Sequence, residues 1–461
     1  MAPSRRDFLI SATTALASKG ILGANDRVGV GFIGYGLIGR QHVHDFKRQP
    51  DVDLVALSDV YQPRLEQGLA DCRDPRSGGG QRAKGYADFR RLLDDKNVQA
   101  VVVSTPDHWH APITLLACAA GKDVYVEKPM TLFVREGRWM VNAAKRFKRV
   151  VQVGTQNRSG AHFQKALELV RKGRIGRVHT ARLGAFRNVM PGFGSPPDSN
   201  PPPGLDYDLW LGPAPKRPYN KNRSLYHFRW FWDYSGGQMT NLGAHELDVV
   251  EWFMNLPAPV AISSSGGRLA LEDNGETPDT QDALFEYAGS RGQPAFTALW
   301  SHREASRGRG AGGGVEFFGT KGSLVISRDG YTVVPDLRTA PENQIPQFLG
   351  HPAGGPVHHS GLKPGPWTEG AQERATNDLS AAHARNFLDC IKSRGTPIAD
   401  LETGHRVATA CHLANLSLRL GRKLRWDAEK EEIIGDSEAA QHLERPYRKP
   451  WDEILAPLKM A

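Results

Sequence analysis

The sequence predicts an α/β protein whose N-terminal part is a doubly wound parallel sheet. From Val28 to about Val153, short β-rich runs alternate with helical stretches, which is the pattern of a parallel sheet with helices on both faces. After Gly160, an amphipathic helical stretch is followed by alternating runs that indicate further strands. The length of 461 residues exceeds one ordinary core and indicates about two domains with appendages.

The glycine-rich turn after the first predicted strand indicates a dinucleotide site. Gly34, Gly36 and Gly39 match the G-x-G-x-x-G spacing. In that pattern the first glycine allows the turn, the second admits a pyrophosphate against bare backbone, and the third lets the helix pack on the strand. Leu37 and Ile38 open the helix between the last two glycines and belong to the same predicted cofactor site.

An acidic residue after the second predicted strand specifies the expected cofactor. Asp59 follows a short apolar run and lies about 20 residues after Gly39. A carboxylate at this position can bind both ribose hydroxyls and repels a 2′-phosphate, so we predict NAD in preference to NADP. Arg64 is close by in the sequence and leaves NADP as the open alternative.

The composition argues against several other classes of protein. The net charge is +9, but the Lys and Arg residues are scattered, with no basic run interleaved with aromatics, so we predict no nucleic-acid partner. The four cysteines are too widely spaced for a zinc pattern, and the pair His108 and His110 has no convincing third ligand nearby, so we predict no metal. No window beyond the N-terminus approaches the ~18 apolar residues of a membrane span.

The N-terminal residues resemble a twin-arginine export signal. The pair Arg5 and Arg6 is followed by Phe8 and Leu9 and by a modestly apolar, small-residue stretch. We therefore assign residues 1–26 to an export signal and expect a periplasmic or exported protein that uses the twin-arginine export machinery. This pathway carries folded cargo, which suits an enzyme that captures its nucleotide before export.

Polar residues follow several of the first domain's predicted strands at the same edge of the sheet. Ligands of open α/β sheets bind outside the carboxyl ends of the strands, so these side chains should meet in one crevice. The residues expected there are Thr105, Pro106, His110, Glu127, Lys128 and Gln156.

With these motifs the sequence resembles the glucose-fructose oxidoreductase, inositol dehydrogenase and MocA (Gfo/Idh/MocA) family of nicotinamide-dependent sugar and polyol dehydrogenases. The resemblance rests on the glycine turn, Thr105-Pro106 with His110, the triplet Glu127-Lys128-Pro129, and the predicted helix that contains His245. The resemblance implies a Rossmann domain followed by an α/β domain with an open, mostly antiparallel sheet, which forms the substrate pocket and often a subunit interface. We therefore expect a homo-oligomer formed through that sheet.

The expected domain boundaries follow from these motifs and from composition. The Rossmann domain is expected over residues 27–157 and the substrate and oligomerisation domain over 158–425. An inserted loop rich in Pro, Gly and His is expected at about 335–376, and a C-terminal tail, 426–461, is expected to pack on the body.

Lys128 and His245 are the predicted catalytic pair. A hydride leaves a carbinol carbon only as the hydroxyl loses a proton, so the site needs a base and a cation that stabilises the alkoxide. His245 suits the first role and Lys128 the second. Asn241 and Asp248 are expected on the helical face of His245, and Asn241 replaces the aspartate that is usual in the family. Asn241 is included in the catalytic set, because it can hydrogen-bond a sugar hydroxyl or contact and orient His245. Asp248 is the nearest candidate for the missing carboxylate and an expected substrate contact, or else the reaction relies more on Lys128.

An aromatic-rich segment at residues 205–234 has the composition of a sugar pocket, since pyranose rings need an apolar face and nearby hydrogen-bond donors. Most of its aromatic residues are expected to form a core beneath the sheet. The predicted pocket residues are Tyr226, His227, Arg229 and Trp232.

Three functions are compatible with these residues. The first is oxidation of a hydroxyl of a sugar, glycoside or polyol by NAD. The second is a glycosidase that uses NAD only transiently, by C3 oxidation, elimination and re-reduction. The third is a sugar- or nucleotide-binding module without catalysis, against which Lys128 and His245 argue.

Overall fold

The computed structural model describes residues 27–73, 83–256, 258–289, 294–308, 313–338 and 365–459. The predicted export signal, residues 1–26, lies outside the described residues. In the described ranges, no helix combines the length and the apolar character needed to cross a membrane.

The first sheet has six parallel strands in the order β3-β2-β1-β4-β5-β6. Every residue of β1, β4 and β5 is buried, as expected for a sheet that helices cover on both faces. This confirms the predicted doubly wound parallel sheet. The strands are β1 Val28–Ile33, β2 Val52–Ser58, β3 Lys84–Tyr86, β4 Ala100–Val103, β5 Asp123–Val126 and β6 Val151–Val153. The helices between them are α1 Leu37–Lys47, α2 Gln62–Arg73, α3 Phe89–Asp94, α4 His110–Ala119 and α5 Val134–Phe147.

The second sheet has ten strands in the order β16-β13-β12-β11-β7-β10-β9-β8-β17-β18. Its neighbours are antiparallel except for β7 and β10, which confirms the expected open, mostly antiparallel sheet. The strands are β7 Val178–Phe186, β8 Ala261–Gly267, β9 Thr280–Tyr287, β10 Phe296–Arg303, β11 Val315–Gly319, β12 Gly322–Ser327, β13 Gly330–Pro335, β16 Ala371–Arg374, β17 Leu424–Asp427 and β18 Glu432–Ile433. A separate two-stranded sheet pairs β14 Leu337–Arg338 with β15 Gly365–Pro366.

The strands of the second sheet alternate buried and more exposed residues, which is the pattern of a sheet that helices cover on one face only. Phe285, Trp300 and Phe317 lie on the buried face and are almost fully inaccessible to solvent. The helices of the second half are α6 Ala161–Arg171, α7 Tyr207–Leu211, α8 Gly237–Asn241, α9 Gly243–Met254, α10 Leu379–Ser393, α11 Leu401–Leu420, α12 Ser437–Ala440 and α13 Trp451–Lys459.

The chain returns to the first sheet after completing most of the second. Phe387 of α10 packs its ring 6.3 Å from that of Phe46 and 5.9 Å from that of Tyr125. In the C-terminal tail, Trp451 packs edge-on against Trp109 with ring centroids 4.7 Å apart. The two sheets are therefore joined through shared helices, and the range 158–425 includes a helix that packs on the first sheet.

Candidate active site

The glycine turn after β1 has the backbone geometry that a dinucleotide requires. Gly34 has a φ of +91°, which side chains rarely tolerate. A Cβ on Gly39 would lie 2.2 Å from the carbonyl oxygen of Gly34, so only glycine lets α1 approach β1 this closely. A Cβ on Gly36 would meet only Arg64 Nη1, at 3.8 Å, so open space lies over the backbone at the N-terminus of α1. This is where a pyrophosphate binds to backbone N–H groups, and the residues fit NAD.

A cavity of about 340 Å³ begins at this turn and extends past the carboxyl ends of β2 and β4 to the second domain. Its walls include many of the residues predicted from the sequence. These are Gly34, Gly36, Leu37, Ile38, Asp59, Thr105, Pro106, Tyr226 and Arg229.

The outer wall of the cavity comes from the segment between β7 and α8. Its backbone is tied to the first domain, because Gln62 N donates to Gly204 O at 2.8 Å and Asp206 N donates to Val60 O at 2.9 Å. The segment thus closes the cavity over the first domain's sheet edge. The wall residues that it contributes are Leu209, Trp210, Leu225, Tyr226, Phe228 and Arg229.

Asp59 lies at the end of β2 and lines the cavity, as predicted. Its Oδ2 accepts a hydrogen bond from Tyr35 N at 2.7 Å and its Oδ1 accepts one from Tyr61 N at 2.9 Å. Each carboxylate oxygen has a second lone pair, so Asp59 can fix the glycine turn and still accept hydrogen bonds from ribose hydroxyls. The placement favours NAD.

His110 supports the crevice instead of lining the cavity. It is buried, and its ring nitrogens lie 2.6 Å from Pro129 O and 2.8 Å from Thr105 O. The ring therefore holds together the loops that follow β4 and β5. The prediction placed this histidine at the correct sheet edge, but its ring contacts backbone carbonyls of these two loops.

Glu127 and Gln156 also belong to the supporting layer. The Glu127 carboxylate lies 2.7 Å from His42 Nε2, and it accepts hydrogen bonds from Gln156 Nε2 at 3.1 Å and from Lys128 N at 3.0 Å. Burial alone would raise the pKa of Glu127, but the contact with His42 and the charges of Lys128 and His110 together lower it. The buried carboxylate fixes the backbone from which the Lys128 side chain projects.

Lys128 connects the first domain to the second. Its Nζ donates hydrogen bonds to the backbone oxygen of Asn241 at 2.8 Å and to Asn241 Oδ1 at 3.1 Å. The side chain is half-buried, and the withdrawal of its ammonium group from water lowers its pKa to about 8. The positive charges of Arg229 and Arg328 lower it further, while Glu127 opposes them. Lys128 is thus a positioned cation at a boundary between the domains.

His245 is buried on α9 and Asn241 ends α8, with Leu242 between the two helices. Burial, followed by the charges of Lys128 and Arg328, holds the pKa of His245 well below its usual value, so the ring is neutral near pH 7. Its Nδ1 has no hydrogen-bond partner in the described part of the chain. A neutral imidazole with an unpartnered nitrogen can accept a proton.

The expected contact between Asn241 and His245 is not formed. Asn241 Nδ2 donates instead to Gln238 Oε1 at 3.1 Å, and Gln238 Nε2 donates to Glu304 Oε1 at 2.6 Å. The backbone stays helical through Leu242, because Leu242 N donates to Gln238 O and Glu246 N donates to Leu242 O. The side chain of Asn241 is therefore drawn away by its contacts with Lys128 and Gln238, and not by a break in the helix. Asn241 therefore positions Lys128 and does not orient His245.

Asp248 does not supply the missing carboxylate. Its two oxygens accept hydrogen bonds from Arg158 Nε at 2.9 and 2.8 Å, and both side chains are almost fully buried. The Arg158 guanidinium also lies over the ring of Trp252, 5.1 Å from its centroid. The expected role of Asp248 in substrate binding is corrected to a structural ion pair beneath α9.

The aromatic segment contributes two of its four predicted pocket residues to the cavity. Tyr226 is 52% exposed and lines the cavity together with Arg229. His227 instead stacks on Phe193 with ring centroids 4.5 Å apart. Trp232 lies under a guanidinium from α11, with 5.1 Å between that group and its ring. The last two are outside the cavity lining. Trp230 is buried as expected for a core aromatic, and Phe228 is buried but also lines the cavity.

Two residues whose charges or pKa values are coupled to the predicted catalytic pair were missed in the sequence. Glu246 follows His245 directly, and burial raises its pKa to about 7. Its position directly after His245 in the sequence was the signal that could have identified Glu246. Arg328 lies in the turn between β12 and β13, and its charge acts on Lys128, His245 and Glu246. Arg328 comes near α9 through the pairing of strands. The spacing of residues around Arg328 in the sequence gives no sign of this.

The two histidines considered as metal ligands contact backbone oxygen atoms of the protein. His108 Nε2 lies 3.0 Å from Trp210 O, and burial lowers the pKa of this histidine to about 3. Within the described ranges, no group of three or more His, Cys, Asp or Glu residues could hold a metal ion.

The fold and this site define an oxidoreductase that binds a nicotinamide dinucleotide. A model described as "Oxidoreductase family, NAD-binding Rossmann fold" matches residues 28–155. A second, described as "Oxidoreductase family, C-terminal alpha/beta domain", matches residues 190–266 and 372–453. The chain belongs to the Gfo/Idh/MocA oxidoreductase family, and it is an enzyme whose cofactor is NAD.

The names of the similar proteins denote two different reactions. Myo-inositol 2-dehydrogenase of Thermotoga maritima is 26% identical over 295 residues, which are 64% of this chain and 74% of that protein. A glycosyl hydrolase family 109 protein of Shewanella baltica is 30% identical over 167 residues, 35% of this chain and 36% of that protein.

Solved structures with low sequence identity share the fold. The WlbA dehydrogenase of Bordetella pertussis, in complex with NADH and UDP-GlcNAcA, has a TM-score of 0.60 at 18% identity, covering 87% of this chain and 99% of that chain. The aldose-aldose oxidoreductase of Caulobacter crescentus has a TM-score of 0.60 at 20% identity, with coverage of 87% and 99%.

Proposed function

We propose that this enzyme oxidises a hydroxyl group of a sugar, glycoside or polyol. The observation that carries the proposal is that Lys128, from the first domain's sheet edge, contacts Asn241 directly before the helix that bears His245. The charge of Lys128 acts on His245, so a cation and a neutral base share one crevice. NAD bound in the cavity would supply the acceptor for the hydride.

The two side chains have complementary tasks in this reaction. His245 is neutral near pH 7 and accepts the proton of the substrate hydroxyl. Lys128 is a cation below about pH 8 and stabilises the negative charge that develops on the oxygen. Asn241 fixes the direction of Nζ with two oxygen atoms.

A substrate panel of myo-inositol, glucose and methyl glucosides tests the proposal in the NAD-loaded enzyme. We expect absorbance of NADH to develop with at least one of them, and His245→Ala to slow that step by about 10²- to 10⁴-fold. His179→Ala is the matched control, because His179 is exposed on the uncovered face of the second sheet. Wild-type rates in His245→Ala would show that the proton leaves by another route.

The second candidate function is a glycosidase that oxidises and re-reduces its substrate with no net change in NAD. The similarity to a glycosyl hydrolase family 109 protein favours it. Incubation with p-nitrophenyl glycosides separates the two candidates. Release of nitrophenol over many turnovers without NADH accumulation supports the glycosidase, whereas stoichiometric NADH without nitrophenol supports the dehydrogenase.

Export is the proposed location, on the basis of Arg5 and Arg6 and the apolar stretch that follows. The periplasm offers no free nicotinamide pool, so NAD would be loaded before export and retained through turnover. Native mass spectrometry of protein taken from the periplasm tests this, with an Arg5→Lys, Arg6→Lys double variant as the export control. An empty nucleotide site in the exported protein would contradict the proposal.

Self-association through the second sheet is also proposed. The uncovered face of that sheet exposes the apolar side chains of Leu299, Val325 and Val334. The ion pair of Arg182 and Glu316 lies between Leu299 and Val325 on the same face. Light scattering of the purified protein would measure the oligomer, and Val325→Lys should dissociate it. A monomer in the unaltered protein would contradict this assignment.

A further inference from the structure

We propose that Glu304 positions Lys128 through a chain of hydrogen bonds that passes through two amide side chains. The amides belong to Gln238 and Asn241. The inference rests on the proposed function, because it concerns how the predicted catalytic cation of the same site is held. It assigns a positioning role to a carboxylate that lies outside the cavity lining.

The chain of hydrogen bonds runs in one direction from the first domain to the second sheet. Lys128 Nζ donates to Asn241 Oδ1 at 3.1 Å, and Asn241 Nδ2 donates to Gln238 Oε1 at 3.1 Å. Gln238 Nε2 then donates to Glu304 Oε1 at 2.6 Å. An ammonium group can only donate and a carboxylate can only accept, so the two ends fix the orientation of both amides between them. A reversed amide would place an N–H against the ammonium or an oxygen against the carboxylate.

The carboxylate end of the chain is fixed by the second sheet. Glu304 directly follows β10 and is 3% exposed, and Arg187 directly follows β7, the parallel neighbour of β10. Arg187 Nε donates to Glu304 Oε2 at 2.8 Å, and Arg187 Nη2 donates to the same oxygen. The backbone joins the same strand ends, because Val189 N donates to Glu304 O at 2.8 Å. Both oxygens of the carboxylate are therefore held in place.

This arrangement suits the task of Lys128 in the proposed reaction. An ammonium group has three N–H donors, and Asn241 accepts from two of them with its backbone oxygen and its Oδ1. The third donor is left for the oxygen of the substrate. Hydrogen bonds in a chain polarise one another, so Glu304 strengthens the hold of Asn241 on the ammonium. Two neutral amides lie between, so the chain orients the cation without placing a carboxylate against it.

Other charged groups act on Lys128 from the elements packed around it. Burial lowers the pKa of Lys128, two acidic groups raise it and two arginines lower it. On the far side of Glu304, burial lowers the pKa of His302, so that ring is neutral near pH 7. A substitution at Glu304 leaves all of these groups in place, so a change in the lysine pKa would report on the chain. The charged groups around Lys128 are Glu127, Asp107, Arg229 and Arg328.

The pH profile of hydride transfer tests the inference in the NAD-loaded enzyme. Glu304→Gln keeps an oxygen for Gln238 but removes the charge, so the pKa of Lys128 should fall by about 0.3 to 1 unit. Activity requires the protonated lysine and falls as pH rises through this pKa, so the alkaline limb of kcat/KM should move to lower pH. We expect kcat to fall about 3- to 30-fold, because the direction of Nζ is less well fixed. NAD affinity should stay within about twofold.

Glu373→Gln is the matched control for this substitution. Glu373 is also a carboxylate of the second sheet with a cationic partner, since Lys165 Nζ donates to it at 2.7 Å, but it lies on the edge strand β16. We expect its rate and its pH profile to match those of the unaltered enzyme.

A double variant distinguishes positioning from a purely structural role. Gln238→Glu combined with Glu304→Gln exchanges the amide and the carboxylate, so an acceptor still faces Asn241 and every hydrogen bond of the chain can form. The carboxylate then contacts Asn241 directly. Hydride transfer should recover to within about threefold of the unaltered rate, and the alkaline limb should lie above its unaltered position. Gln238→Glu alone brings two carboxylates together and should not restore the rate.

Circular dichroism checks the fold of each variant, and if Glu304→Gln does not fold, the double variant decides. An alkaline limb that stays in place in the double variant overturns the inference. So does a double variant as slow as Glu304→Gln.

Amine labelling separates this inference from the proposed function. Acetic anhydride reacts with the neutral amine of Lys128, so the labelling rate of its peptide against pH, followed by mass spectrometry, gives the lysine pKa without any sugar. If no sugar reduces bound NAD, the proposed function fails, while a pKa lowered in Glu304→Gln and raised in the double variant still supports the chain. If a sugar is oxidised but the three labelling profiles coincide, the function stands and the inference is wrong.

Discussion

Lys128 Nζ is held by two oxygen atoms of one residue, the backbone oxygen of Asn241 at 2.8 Å and its Oδ1 at 3.1 Å. Lys128 follows a strand of the NAD-binding sheet, whereas Asn241 ends a helix of the second domain. This contact therefore positions the Lys128 ammonium, the predicted catalytic cation, only when the two domains are packed together. This contact determines what several substitutions should do.

Replacing the lysine should affect chemistry more than cofactor binding. We expect Lys128→Ala to slow hydride transfer by about 10²- to 10⁴-fold, because the developing alkoxide loses its cation. NAD affinity should change little, since Lys128 is not part of the cavity lining. Stopped-flow absorbance of NADH measures the first quantity and calorimetry the second. Lys172→Ala, at the exposed residue directly after α6, is the control. An unchanged rate in Lys128→Ala would contradict its role.

Introducing an acid at Asn241 should change the pH profile. Asn241→Asp places a carboxylate against Lys128 Nζ and should raise the lysine pKa from about 8 by about 1 to 3 units. If the protonated lysine is required, activity falls as pH rises through that pKa, so the alkaline limb should move upward. The dependence of kcat/KM on pH measures this shift. Asn241→Ala adds no charge and should not extend the alkaline limb. A limb that stays in place in Asn241→Asp would exclude Lys128 as the titrating group.

Asp59 should determine the preference between NAD and NADP. Asp59→Ala removes two ribose hydrogen bonds, so we expect NAD affinity to fall about 10- to 100-fold. The substitution also removes the repulsion of a 2′-phosphate, so the ratio of NAD affinity to NADP affinity should decrease. Asp59 also accepts hydrogen bonds from Tyr35 N and Tyr61 N, so the variant's fold needs a check by circular dichroism. Calorimetry with both nucleotides gives the ratio, with the exposed Asp389→Ala as control. Tighter binding of NADP than of NAD by the unaltered protein would show that the assignment is mistaken.

The ion pair of Arg158 and Asp248 should matter for stability. Both side chains are almost fully buried, so Asp248→Asn leaves an unpaired cation inside the protein and should lower the free energy of unfolding by about 3–5 kcal/mol. Denaturant titration measures the loss. Glu168→Gln breaks an exposed pair on α6 and should change stability little. If Asp248→Asn were as stable as the unaltered protein but bound sugar weakly, the original assignment to the substrate site would be restored.

The sequence was sufficient to predict those parts of the site whose residues lie close together in the chain. The turn from Gly34 to Gly39 and the carboxylate of Asp59 depend on spacing along one strand, turn and helix, and the structure places them as expected. The carboxyl ends of parallel strands share one edge, so Thr105 and Lys128 could also be placed together before the structure was known.

The sequence was insufficient where partners come from distant elements. The side-chain oxygen of Asn241 is taken by Lys128, 113 positions earlier in the chain, and the spacing of Asn241 and His245 along the helix does not indicate this partner. The partner of Asp248 is Arg158, 90 positions earlier in the chain. Arg328 is brought to α9 by the pairing of β11 with β12, which no local pattern around Arg328 indicates.

The packing of Trp451 on Trp109 constrains the order of events during biosynthesis. Trp109 lines the NAD cavity, and Phe89, another lining residue, has its ring 6.3 Å from that of Trp451. The ribosome makes this tryptophan long after it has made all six strands of the cofactor sheet. A nascent chain therefore has the glycine turn before Trp451 supports the cavity wall from behind. We expect a truncation before α13 to weaken retention of the nucleotide, even though every residue of the glycine motif is intact.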